Sequence, residues 1–244
     1  MVFTSLNFLL FFPLFAILYF LTPAKYRLFT LLVGSYFFYM NVKPVYALLL
    51  ATVTICTFFF TNLIAKSKVE SKKKTYMVIN ITLILLPLFF FKYFTAVNEF
   101  VFSFLQSINI SCPFPQITLL LPVGISFYTF MSIGYVVDVY NEEIEAEKKN
   151  IGVLAVFISF FPLILSGPIE RSKNMLPQFK QLKNPDYNMV VEGMKLILWG
   201  YFMKLVVADR IGIYVDAIFK NIDHHNGTTL LLAEHHRQIF KLSN

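Results

Sequence analysis

The chain has 244 residues, 57% of them hydrophobic and only 14% charged, with a net charge of +7. Ordinary soluble domains carry about 25% charged residues, and a soluble core of this size has no room for 29 phenylalanines. The lysines and arginines sit in short connections between apolar runs rather than on one polar face, which argues against nucleic acid and reads as topology signals and lipid-headgroup contacts.

Residues 3–21 form an apolar run long enough to cross a bilayer, which takes about 20 residues. Pro13 is expected to kink it, and Thr22-Pro23 ends it. No basic region precedes the run and no small-residue cleavage site follows it, so it reads as a retained first helix rather than a cleaved signal. Lys25 and Arg27 come next, then a shorter apolar run at 28–40 that reads as a tilted or partial span. Residues 45–65 make a full span rich in Thr, whose hydroxyls can bond back to the helix backbone. Lys66, Lys68, Lys72, Lys73 and Lys74, against Glu70, are the strongest charge cluster. The positive-inside rule makes that loop cytoplasmic; docking of anionic lipid or a partner is the lesser reading. Residues 76–94 are the next span, and 97–110 read as an amphipathic helix lying in the interface. Cys112-Pro113-Phe114-Pro115 cannot continue a helix, and 117–140 is again long enough to span. The run 141–150, with Glu142, Glu143, Glu145 and Glu147 before Lys148 and Lys149, reads as a solvated loop or short surface helix.

Residues 160–179, FFPLILSGPIERSKNMLPQF, hold the feature that organises the rest. An apolar run begun at residue 151 breaks at Ser166-Gly167-Pro168 and passes into Glu170-Arg171. Backbone that leaves the helix at membrane depth must be buried in protein or line a wet cavity, and ionisable groups there are functional candidates. If 151–169 crossed fully, the loop carrying Arg171, Lys173, Lys180 and Lys183 would lie outside, against the positive-inside rule. A segment that turns back at the Gly-Pro break keeps those charges inside, so the charge pattern favours a re-entrant element. Residues 176–187 are polar and basic, 189–215 form a long amphipathic segment, and the tail is polar.

Tyr128, Ser132 and Tyr135 are spaced four and three apart and share one helix face. Two readings stand: a polar stripe along a cavity, or interhelical hydrogen bonding of the kind common in membrane bundles. Asp138 at the end of that segment is expected to pair with Arg171 or Arg210. Lys204 is set among apolar residues, either snorkelling to the interface or neutralising an anionic group in a funnel. Asp209 and Arg210 are adjacent and are expected to serve different partners. The four histidines, His224, His225, His235 and His236, all fall in the polar tail and read as exposed. Cys56 and Cys112 form no metal or redox spacing, and no serine elbow, phosphate loop or zinc signature is present. The residues alone define a polar membrane cavity without a complete catalytic set.

Three stretches carry a resemblance: LPVGISFYTF with DVY at 121–140, FFPLILSGPIERSKNMLPQF at 160–179, and WGYFMKLVVADRI at 199–211. Together, in this order, they resemble the membrane-bound O-acyltransferase family, closest to its bacterial branch of alginate O-acetyltransferases and D-alanyl-lipoteichoic acid transferases. The resemblance implies an all-α, polytopic transmembrane bundle with short and re-entrant helices, in the bacterial inner membrane, representing an N-terminal and so incomplete part of that fold. It implies O-acyl transfer to a polysaccharide such as alginate from an acyl carrier or acyl-CoA-like donor, with membrane lipid and other subunits as partners. From the residues themselves, neither cofactor nor metal is expected. Tyr128, Ser132, Asp138, Gly167, Pro168, Glu170, Arg171, Lys204, Asp209 and Arg210 would wall the funnel or tunnel. The family's catalytic His lies in a later tryptophan-histidine context; the only Trp here is Trp199, so no catalytic residue is assigned. Met131 stands where the family usually has Gln. The family-like region is expected to cover 1–233, with a divergent polar tail at 234–244 suggesting a truncation or frameshift near Glu234. Competing readings are a transporter or channel using the same polar stripe, and a scaffold subunit of a polysaccharide export complex.

Overall fold

The computed structural model describes residues 3–41, 43–107, 122–147, 150–165, 167–181, 184, 186–220, 226–228, 231 and 234. Every regular element among them is helical. The backbone divides into two compact units, Met1–Lys183 and Asn184–Asn244.

In the first unit α1 is Leu6–Leu21, α2 is Ala24–Met40, α3 is Pro44–Lys66 and α4 is Glu70–Ser107. Ser5 caps α1 by accepting from the Phe8 amide. Arg27 is buried at the start of α2, where its Nε donates to the Thr22 carbonyl at 3.0 Å. A charge read only as a topology signal therefore also satisfies a carbonyl past the C-terminus of α1. The expected partial span at 28–40 is the later part of a continuous 17-residue helix. The interfacial helix expected from 97 is corrected too: α4 runs unbroken for 38 residues through Pro87 and Asn98. The expected break at 112–115 lies outside the described residues.

The side-chain pattern is that of a membrane bundle. On α3, Thr54, Thr57 and Thr61 are buried and bond back to the carbonyls of Leu50, Val53 and Thr57, while Leu48, Ile55 and Phe59 are exposed. Asn80 of α4 is buried and donates to the Cys56 carbonyl of α3 at 3.3 Å. Polar groups inside and large apolar groups outside would be costly in water but suit lipid. Two helical stretches, Pro44–Lys66 and Glu70–Phe94, are long and apolar enough to cross a membrane. α1 and the next helix, α5 (Ile125–Tyr140), each have 16 residues. At 1.5 Å per residue they are about 24 Å long, short of the about 30 Å hydrocarbon layer. Of the expected span at 117–140, residues 117–121 lie outside the description.

The remaining elements of this unit form the re-entrant hairpin. α6 is Ile151–Ser159, α7 is Phe161–Ile164 and α8 is Ser172–Lys180. α6 and α7 together advance about 21 Å and bring the chain from the end of α5 back to its start. There Gly124 adopts φ +77°, and a Cβ on it would lie 2.2 Å from the Ile164 carbonyl oxygen. A Cβ on Gly167 would lie 2.6 Å from the Leu163 Cα, so the turn needs both glycines. Gly167 to Arg171 then runs without regular structure to Ser172, whose hydroxyl donates to Asp138 in the last turn of α5. The chain enters and leaves at the same end of α5, as the charge pattern predicted. Where α6 breaks into α7, the Phe161 amide donates to Ser35 of α2 at 3.4 Å, which supplies the partner that a helix start buried away from water requires. The Phe161 ring packs 5.4 Å from Phe15, 5.4 Å from Phe38 and 5.6 Å from Phe11.

The second unit contains α9 (Tyr187–Tyr201), a π-helical segment (Phe202–Ala208) and α10 (Asp209–Lys220). The long amphipathic segment expected at 189–215 is therefore interrupted at its middle. π-helical turns are uncommon and are often found at functional sites.

Candidate functional site

Most of the predicted site residues of the first unit lie on α5 or on the return strand of the hairpin. Tyr128 and Ser132 are both buried. The Ser132 hydroxyl donates to the Tyr128 carbonyl of its own helix at 2.7 Å. The Tyr128 ring meets Tyr39 of α2 edge-on at 6.3 Å. The hydroxyls of Tyr39 and Tyr128 are buried and face each other, and the buried Thr129 hydroxyl has no hydrogen-bond partner among the described residues, so this turn of α5 keeps a cluster of hydroxyls inside the bundle. Tyr135, on the same face, spends its hydroxyl on the backbone of Glu147, accepting from that amide at 2.9 Å.

Asp138 is buried and takes the Ser172 hydroxyl. Arg171, one of its two expected partners, is exposed and makes no ion pair with it. A neutral hydroxyl serves instead because Ser172 begins α8 and points inward, while Arg171 precedes the helix. Gly167 and Glu170 are half-buried and Pro168 is exposed on the return strand. Ser166 lies outside the described residues.

The loop 141–147 is solvated at Glu142, Glu143 and Glu145, as expected, but Glu147 is buried and the loop is tied to its neighbours. Glu142 pairs with Lys73 at the start of α4 at 2.6 Å, Glu143 with Lys173 of α8 at 3.4 Å, and buried Glu147 with Lys180 at the end of α8. Asn62 of α3 donates to the Glu147 carbonyl at 3.2 Å. The Lys73 ammonium holds the Glu142 carboxyl below the usual carboxylate range. Glu147, Asn62 and Lys180 did not stand out in the sequence as a cluster, and Tyr135 was read only as part of the polar face of α5. Glu147 is one glutamate among four, and its partners are twelve or more residues away.

In the second unit Lys204 and Asp209 form an ion pair at 3.2 Å. The Asp209 amide bonds the Lys204 carbonyl, five residues back. On a regular α-helix, at about 100° per residue, these positions stand about 140° apart; the π turn brings them together. Asp209 thus serves Lys204, and Arg210 follows it in α10.

No group of three His, Cys, Asp or Glu that could hold a metal occurs among the described residues, and all four histidines lie outside them. The site offers a buried hydroxyl-bearing wall, a glycine-dependent hairpin and an ionic clasp at its base. These define a membrane helical protein whose non-helical backbone is held by specific partners.

Comparison with known proteins carries this further. The chain is 32% identical to the probable alginate O-acetylase AlgI of Azotobacter vinelandii over 96% of its own length and 46% of that protein. It is 33% identical to the protein of the same name from Pseudomonas aeruginosa, covering 90% of the chain and 42% of that protein. It is 28% identical to the peptidoglycan O-acetyltransferase of Helicobacter pylori, covering 76% of the chain and 39% of that protein. The chain is thus similar, along almost its whole length, to bacterial proteins named as O-acetylases and O-acetyltransferases, in line with the resemblance that its three sequence stretches carry. It spans less than half the length of these curated relatives. No family model matches it, and no solved structure does.

Proposed function

We propose that these residues are the N-terminal portion of a membrane O-acyltransferase that O-acetylates an exopolysaccharide such as alginate. The observation that carries the reading is the likeness to alginate O-acetylases along almost the whole chain. The hairpin motif with the buried hydroxyl cluster of Tyr39, Tyr128 and Thr129 supports the reading. In it, Tyr128, Ser132, Asp138, Gly167, Pro168, Glu170 and Arg171 belong to the tunnel wall and its mouth; Lys204, Asp209 and Arg210, in the second unit, are candidate funnel residues in their own right. The base that activates the acceptor hydroxyl is a histidine outside residues 1–244. The donor is an acyl carrier or acyl-CoA-like thioester, and the acceptor is a polysaccharide presented from the opposite face. The region 1–233 is the family-like portion and 234–244 a divergent tail. The protein is multi-pass in the bacterial inner membrane, with the Lys66–Lys74 end cytoplasmic and further subunits of a polysaccharide modification complex around it.

The test is acyl transfer from a radiolabelled thioester donor to polymannuronate by the purified chain in proteoliposomes. The expected result is no transfer. Transfer that disappears in the H235A/H236A double variant would overturn the assignment of the base. Solute flux through the same liposomes without any donor would replace the reading with that of a channel.

A further inference from the structure

An open recess of about 520 Å³ lies between the end of α3, the end of α5 and the 141–147 loop. Its floor is apolar and includes Ile64, Val139 and Ile144; its rim carries Lys68, Lys73, Glu142 and Glu145. Lys73 and Glu142 occupy each other. Lys68 and Glu145 are exposed and take part in no ion pair among the described residues. The rim therefore presents one ammonium and one carboxylate that no described residue pairs with, above an apolar floor.

The recess lies where the two bilayer-length helices, α3 and α4, meet at Lys66 and Glu70, which is the depth of lipid headgroups. Its volume falls within the roughly 300–1,000 Å³ of small-ligand sites. We propose that it binds the head of a zwitterionic phospholipid that carries a primary amine. Lys68 takes the phosphate, Glu145 takes the ammonium, and the glycerol end rests on the apolar floor. A primary ammonium has N–H groups to give to a carboxylate, and such charge-assisted bonds are the strong ones. A quaternary ammonium has none. A purely anionic head would meet Lys68 but set its own charge against Glu145. The site stands apart from the hairpin and does not depend on the acyl-transfer reading.

The experiment is native mass spectrometry of the purified full chain titrated with phosphatidylethanolamine, phosphatidylcholine or phosphatidylglycerol. The expected result is phosphatidylethanolamine binding about tenfold tighter than the other two, one charge-assisted bond converted to affinity. E145Q should remove that preference, and K68Q should weaken all three lipids. Both side chains are exposed, and helical circular dichroism checks that the variants stay folded. Equal binding of the ethanolamine and choline lipids would overturn the proposal, as would a preference that survives in E145Q. Tighter binding of phosphatidylglycerol, lost in K68Q, would overturn it in favour of an anionic-lipid site.

Discussion

Inside the bundle the re-entrant hairpin packs the Phe161 ring among Phe11, Phe15 and Phe38. At its base the same hairpin is tied to the 141–147 loop and the end of α5 by Lys173, Lys180 and Ser172. Lipid tails are as apolar as Phe, so burial from solvent does not favour the inner contact the way water would. Close packing does that work, and a void there loses contacts outright. The base lies among charged groups, where ion pairs respond to pH and salt. One region resists solution conditions and is sensitive to volume; the other is tolerant of volume and sensitive to charge.

The contrast can be broken at either end. Phe161→Ala should have the largest effect, lowering stability by about 3–5 kcal/mol, the usual cost of deleting a buried ring; thermal melts in detergent would measure it, and 1 M salt should leave the loss unchanged. Asp138→Ala leaves the buried Ser172 hydroxyl without its charged acceptor, and about 1.5–3 kcal/mol is expected on the same melts. A cysteine in place of Lys173, with Cys56 and Cys112 replaced, should react with an impermeant maleimide from the same side as one in place of Lys72; labelling from opposite sides would sink the re-entrant topology. The smallest effect belongs to Glu142. Its folded pKa is depressed, so its stabilisation is present above the ordinary value of about 4.3 and is lost as pH falls through the lower folded value. Glu142→Gln should lower the neutral melt slightly and flatten that acid limb, so that variant and parent converge at low pH.

Much of this was legible in the sequence. The span at 45–65 matches α3 to within a residue at each end, because an apolar run between basic or proline boundaries leaves little choice. The re-entrant hairpin followed from charge placement, since a breaker followed by cations has only one orientation that obeys the positive-inside rule. What stayed hidden rests on partners far apart in the chain or on departures from α geometry. Nothing local marks Glu147 as the buried glutamate of its run. Lys204 and Asp209 looked unrelated because five residues is the wrong interval for an α-helix. α4 continues through a polar stretch that reads as a boundary, because helical hydrogen bonding needs no apolar neighbour.

The bond from the Phe161 amide to Ser35 joins residues 126 positions apart, and that separation is also an interval of time. At about 5–20 residues per second of synthesis, Ser35 leaves the ribosome roughly 6–25 seconds before Phe161. α2 is therefore made, and its hydroxyl on offer, before the hairpin's broken backbone needs a partner. An amide left over where the helical ladder breaks has its acceptor waiting, so order of manufacture favours the junction between α6 and α7.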